Sequence, residues 1–175
     1  MRKIFLIIFS FLLVSFTPSN FRFSPPDTYS KLKVKYLYNF PKYIQWPSSY
    51  NDGSFIIGIL GNSKLNLELS NMAATKTIVN RKCEIVTFQN IEDIKKCHIL
   101  LIPAENDVAL AKVISKIKGT SSLLITEKEG YTKKGSMINF VIRASKIEFE
   151  LNKSAAEKFD LKVGQALQPL AISVE

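Results

Sequence analysis

The chain has 175 residues, 46% of them apolar and 22% charged, with 7 Gly and 7 Pro. That length and composition favour one compact domain and exclude a disordered chain, a collagen and a coiled-coil rod. Two Cys are too few for a disulfide scaffold or a four-thiolate zinc site, and one His removes mechanisms that need two imidazoles. The net charge of +9 suits an acidic partner or surface.

Met1 to Asn20 read MRKIFLIIFSFLLVSFTPSN. Arg2 and Lys3 precede a run of about thirteen residues, mostly apolar, and turn-forming residues follow at Thr17 to Ser19, the pattern of a secretory signal peptide. The run is short of the roughly twenty residues of a membrane span, although a retained N-terminal anchor is the alternative. No Cys sits there to carry a lipid. The expected organisation is a signal peptide over 1–19, a linker over 20–28 containing Pro25-Pro26, and an α/β domain over 29–175. Removing 1–19 lowers the positive charge by two. An exported, periplasmic chain does not meet cytoplasmic nucleic acid, so an acidic protein face or anionic lipid is the expected complement.

In the domain, Leu32, Tyr36, Phe40 and Ile44 recur every fourth residue and predict a helix, interrupted at Pro41 and ended by Gln45-Trp46-Pro47. Ser54–Leu60 reads as a buried strand ending at Gly61. Residues 63–74 fit a helix with Leu65, Leu69 and Met72 inward. Lys82–Phe88 alternates as a strand, Asn90–Lys95 suits one helical turn, and Cys97–Ile102 is a second buried strand. Asn106–Lys118 fits a helix stopped by Gly119. Ser121–Thr126 is a strand, and Glu127–Ser136 a charged loop. Met137–Arg143 and Ile147–Asn152 form a hairpin with one wet face carrying Glu148 and Glu150. Asn152 or Ser154 caps a last helix. This alternation predicts a single α/β domain. Its sheet is largely parallel and flanked by helices in three Rossmann-like layers, with a C-terminal antiparallel hairpin.

The chemistry is sparse. Gly58 and Gly61 end a strand where phosphate-binding turns lie, but no GxGxxG or GxxxxGK[ST] pattern accompanies them. His98 lies inside an apolar run without a nucleophile or second His in view, which makes it structural. Adjacent Cys97 and His98 point to opposite faces and make no metal site. No cofactor or metal is expected, and no catalytic set is assigned. Cys83 and Cys97 can close a loop of about fifteen residues, worth ~3 kcal/mol if unstrained. That disulfide fails if a third strand separates the two.

Tyr36, Asn39, Phe40, Trp46 and Pro47 stand in YLYNFPKYIQWP. Downstream follow FIIGILG ending at Gly61, CHIL from Cys97 and His98, INF with Asn139 and Phe140 after a loop flanked by Gly130 and Gly135, and IEFELN with Phe149 and Asn152, then Ala155-Ala156. In this order, over roughly 29–172, they resemble the YfiR-like family of exported bacterial regulators. The resemblance implies a periplasmic, non-catalytic α/β domain. Its best-understood members bind the periplasmic part of an inner-membrane diguanylate cyclase and hold it inactive, acting on cyclic-di-GMP and biofilm signalling. Others are linked to sensor histidine kinases. Members can be dimeric and disulfide-bonded, so a homodimer is among the expected assemblies. Cys97 matches the family's strand-opening Cys, whereas Cys83 has no clear counterpart. The tail Val163–Ala171 is only loosely similar, with Pro169 departing from it. Read as residues alone, Phe40 and Ile44 are core, and Tyr36, Asn39 and Trp46 anchor the first helix and its turn. The competing expectation is a small-ligand site at the carboxyl ends of the strands, around Gly61 and Pro103.

Overall fold

The first helix, α1 (Thr28–Asn39), buries Val34 and Leu37, with Phe40 buried just beyond its end. This is a computed structural model, and it describes residues 28–175. The expected signal peptide and all of the expected linker but Thr28 lie outside the described residues. α1 stops one residue before Phe40-Pro41, and a 3-10 turn (Phe40–Lys42) replaces the expected kinked continuation, because Pro41 has no N–H to extend the helix. Lys33 on α1 pairs with Glu127 at 3.0 Å, both side chains largely shielded.

The remaining elements follow in order: β1 (Ile44–Gln45), β2 (Phe55–Leu60), α2 (Asn66–Thr75), β3 (Thr77–Ile78), β4 (Arg81–Phe88), β5 (Ile99–Ile102) and α3 (Leu110–Ile117). After them come β6 (Leu123–Thr126), β7 (Ile138–Arg143), β8 (Lys146–Leu151), α4 (Lys153–Glu157), β9 (Lys162–Val163) and β10 (Ser173–Val174). α3 is shorter than its sequence pattern. It turns Leu110, Val113 and Ile117 inward and leaves Ala111 exposed. Asn152 caps α4, its Oδ1 accepting from the Ala155 N–H at 2.7 Å.

Eight strands form one sheet in the order β10-β8-β7-β6-β5-β2-β4-β3, and β1 with β9 form a separate pair. The sheet is mixed, which corrects the expectation of a largely parallel one. β4, β2, β5, β6 and β7 run parallel, β7–β8 and β3–β4 are antiparallel, and β10 joins β8 in parallel. Nor does strand alternate regularly with helix as in a doubly wound fold. Only a 3-10 turn (Ile91–Asp93) lies between β4 and β5, and only another (Thr132–Lys134) between β6 and β7. The central strands are apolar throughout, ILLI in β5 and LLIT in β6, as strands covered on both faces must be. Both hairpins turn on two residues at positive φ, Val79-Asn80 (47° and 58°) and Ala144-Ser145 (47° and 60°). This is the conformation that matches strand twist, adopted here without glycine.

β2 lies between β4 and β5, and this undoes the expected disulfide. Cys83 pairs in register with Phe55 of β2, while Cys97 precedes β5 on the other flank. Two strand spacings come to about 10 Å, beyond the Cα separation a disulfide spans. Both cysteines are free, buried thiols. Burial pushes each up to about 11, with the Glu84 charge adding at Cys83. Among the described residues no helix is long and apolar enough to cross a membrane.

Candidate functional site

The amino ends of the parallel strands carry a cleft of about 870 Å³, walled by Tyr38, Trp46, Phe55, Val79, Arg81 and His98. Arg81, at the start of β4, organises one side of it. Its Nε donates to the Gly53 carbonyl at 2.8 Å, Nη1 to Tyr50 at 2.7 Å, and Nη2 to Asp52 and Ser54 at 2.7 and 2.9 Å. A guanidinium presents its donors in a fixed planar fork, so four carbonyls converging on it fix the whole turn.

His98 closes the same turn from below. Its Nδ1 accepts the Ile56 N–H at 3.0 Å, which assigns the proton to Nε2, and Nε2 donates to the Tyr50 carbonyl at 2.9 Å. The ring stacks on Phe55 at 4.3 Å and meets Trp46 and Tyr50 edge-on. Burial holds its pKa below the ordinary value, and the Arg81 and Lys96 charges add to this against the opposing Tyr50 bond. A second ring proton would face the Ile56 N–H with no acceptor. The Tyr50 hydroxyl accepts from the Ser121 N–H at 2.9 Å, and Lys96 donates to the Ser49 carbonyl at 2.6 Å. Trp46 Nε1 is buried, with no partner among the described residues. Pro47 begins the 3-10 turn Ser48–Tyr50.

The opposite, carboxyl ends are where an α/β sheet ordinarily binds ligands. Gly61 adopts φ +74°, and its N–H donates to the Phe88 carbonyl at 2.8 Å. The Asn106 side chain sits directly over it and donates to the Leu60 carbonyl. The remaining hollow, about 410 Å³, is edged by Glu92, Glu105 and Asp107. The amide over Gly61 and the carboxylates at the edge of this hollow make it a poor seat for a phosphate.

A buried polar network fixes the loop between β6 and β7. The Thr126 hydroxyl lies 2.6 Å from Asn139 Oδ1 and 2.8 Å from Ser136 Oγ, and Ser136 donates to the Ile138 carbonyl. Asn139 Nδ2 and the Thr132 hydroxyl both donate to Glu150 Oε2, at 3.2 and 2.5 Å. Arg143 approaches the other oxygen at 3.6 Å, and Asn152 Nδ2 reaches the Thr132 carbonyl. Asn139 is fully buried, and the Glu150 side chain is only 16% exposed. The hairpin face expected to be wet is therefore roofed by the loop at Glu150. Cys97 belongs to a smaller version of this device, its carbonyl accepting from the Ser122 hydroxyl at 2.7 Å.

The last of the singled-out residues form an aromatic block. Tyr36 and Phe40 pack on Phe140 and Phe149 at ring separations of 5.1–5.9 Å and join α1 to the hairpin. Beside it runs an apolar groove of about 420 Å³ between α1 and the 3-10 helix Gln165–Leu170. Asn39 stands at its rim, donating to the Lys35 carbonyl at 2.7 Å and accepting from Lys42 Nζ at 2.8 Å. The structure thus gathers the motif residues into separate sets instead of one catalytic centre. Sequence reading passed over Arg81, Asn106 and Thr132, since a single Arg, Asn or Thr near a strand end carries no local signal.

Comparison with known proteins agrees with this architecture. The family model described as YfiR/HmsC-like matches residues 30–172. No curated protein matches the chain. Among solved structures, a conserved domain protein from Vibrio cholerae O1 biovar El Tor is similar, with a TM-score of 0.59 and 14% identity. The alignment covers 83% of this chain and 60% of that one. The chain therefore spans about three fifths of that protein's length, and the likeness is one of fold.

Proposed function

We propose that this chain, which belongs to the YfiR/HmsC-like family, is a non-catalytic periplasmic regulator that binds the periplasmic part of an inner-membrane signalling protein. A diguanylate cyclase is the first expectation for that receptor, and a sensor histidine kinase the second. The observation that carries this reading is the internal use of the polar motif side chains. His98, Asn139 and Asn152 each bond to backbone or side chains of the domain and hold loops in place. Surfaces open to a partner include a cleft at the amino ends and an apolar groove beside α1. Regulation by such a module requires different affinity for the receptor's active and inactive states. Free, buried thiols weigh against the Cys83–Cys97 pair as the signal that relieves it.

The test is crosslinking in native cells, followed by purification of the tagged chain from membranes. Recovery of a signalling protein with a periplasmic segment is the expected result. Recovery of the uncomplexed chain alone, with a control crosslink efficient, would overturn the reading.

A second reading rests on Trp46 Nε1, a buried donor without a partner among the described residues, at the wall of the amino-end cleft. A ligand with an acceptor oxygen would satisfy it. Thermal shift against a panel of small carboxylates and amides tests this, and an unchanged Tm at ligand excess counts against it.

A further inference from the structure

The groove beside α1 combines two features. Its apolar residues are exposed, Leu32 to 40% and Leu170 to 55%, with Tyr36 and Leu167 below them. Its lining holds one charged residue, Lys35, and no acid. α1 reads TYSKLKVKYLYN and contains no acid. Lys31 and Lys35 lie one turn apart, a like-charge i,i+4 pair that disfavours the helix. Among the described residues neither side chain has an ion-pair partner, whereas Lys33 between them pairs with Glu127. Asn39 holds the Lys42 ammonium at the same end. A second apolar residue that is strongly exposed, Ile142 at the hairpin tip, lies outside the groove.

We infer that this groove is the seat of an acidic amphipathic segment of the membrane-bound partner. The segment's apolar residues lie against Leu32, Tyr36 and Leu170, and its carboxylates against Lys35, flanked by Lys31 one turn before it and by Lys42 held at Asn39. The inference rests on the regulatory reading above and specifies its interface. The occupant follows from charge complementarity: desolvated apolar anchors supply most of an interface's energy, and rim charges select the partner and speed its arrival. A basic or neutral segment would leave Lys35 facing no counter-charge, and a second copy of this basic face would repel the first.

The experiment places a photocrosslinking residue at Leu32, Leu170 or Ile142 of the full-length chain in native cells and identifies the attached peptide by mass spectrometry. The expected product at Leu32 and Leu170 is one acidic, amphipathic segment of a membrane protein, absent at Ile142. Its yield should fall about three- to tenfold in Lys31→Glu/Lys35→Glu, the worth of two exposed ion pairs. Attachment to a basic segment, to a second copy or to residues preceding Thr28 of the same chain overturns the inference, as does an unchanged yield in the double variant. A membrane protein captured only at Ile142 overturns the groove but leaves the regulatory reading standing. No capture at any position, with the control efficient, overturns both.

Discussion

The turn at the amino ends of the strands and the loop before the closing hairpin are both held in place, by opposite chemistry. At the first, one permanent cation, Arg81, gathers the carbonyls of Tyr50, Asp52, Gly53 and Ser54. At the second, Thr126, Ser136, Asn139 and Thr132 pass hydrogen bonds between neutral groups until they end on one carboxylate, Glu150. A hub concentrates the energy in one side chain. A chain distributes it, so that each member matters and none decides alone.

Removing the hub should have the largest effect. Arg81→Ala leaves four carbonyls without their charged donor and should cost about 3 kcal/mol by urea unfolding, since bonds to charged groups are worth roughly 1.5–3 kcal/mol each and water recovers part. Arg81→Lys should recover little, because an ammonium cannot present a planar fork. Full recovery would show that charge, not geometry, holds the turn. Next comes Asn139→Leu, which leaves Thr126 and Glu150 short of a partner in a buried site and should cost about 2 kcal/mol. If it costs as much as Arg81→Ala, the distributed picture fails.

A smaller effect separates the two regions by pH. His98 is held neutral, with its pKa below the ordinary value. Below about pH 6.5 the unfolded chain takes a proton that the folded one refuses, and stability falls. The loss is at most ~1.4 kcal/mol per pH unit and ends once the pH drops below the lowered value. His98→Gln should therefore show a flatter decline than the parent between about pH 6.5 and 5. A steeper decline in the variant would contradict the neutral assignment. The smallest change belongs to the groove, which is part of neither device. Leu170→Ser should move stability by under ~0.5 kcal/mol, while abolishing the capture described above. A large loss of stability would make Leu170 part of the core.

Sequence patterning made the strands legible wherever burial is continuous. FIIGIL, ILLI and LLIT fall in β2, β5 and β6 within two residues of their expected bounds. It failed where pairing is set at a distance. β1, β3, β9 and β10 are two residues long and exist only because a partner strand arrives beside them. The Glu148/Glu150 alternation resembled a solvated face, yet Glu150 is covered, because the roof comes from a loop whose path no local pattern encodes. The disulfide expectation depended on strand order, and β2 inserted between β4 and β5 decided it. Motif positions were easier to find than their roles. Tyr36, Phe40, Phe140 and Phe149 stand far apart in sequence and declare their purpose only as one stack of rings.

The small β1–β9 pair carries a consequence for how the molecule comes into being. It joins Ile44 to Val163, more than a hundred residues apart, and α1 likewise rests on the hairpin strand β8. The first helix is therefore synthesised long before its docking surface exists. Its aromatic side has nothing native to cover it until the closing hairpin has been made. Such long loops must close before any of these contacts can form, which places folding among the slower, topology-limited cases. A nascent chain of this design has good reason to stay with a chaperone until β8 and β9 emerge.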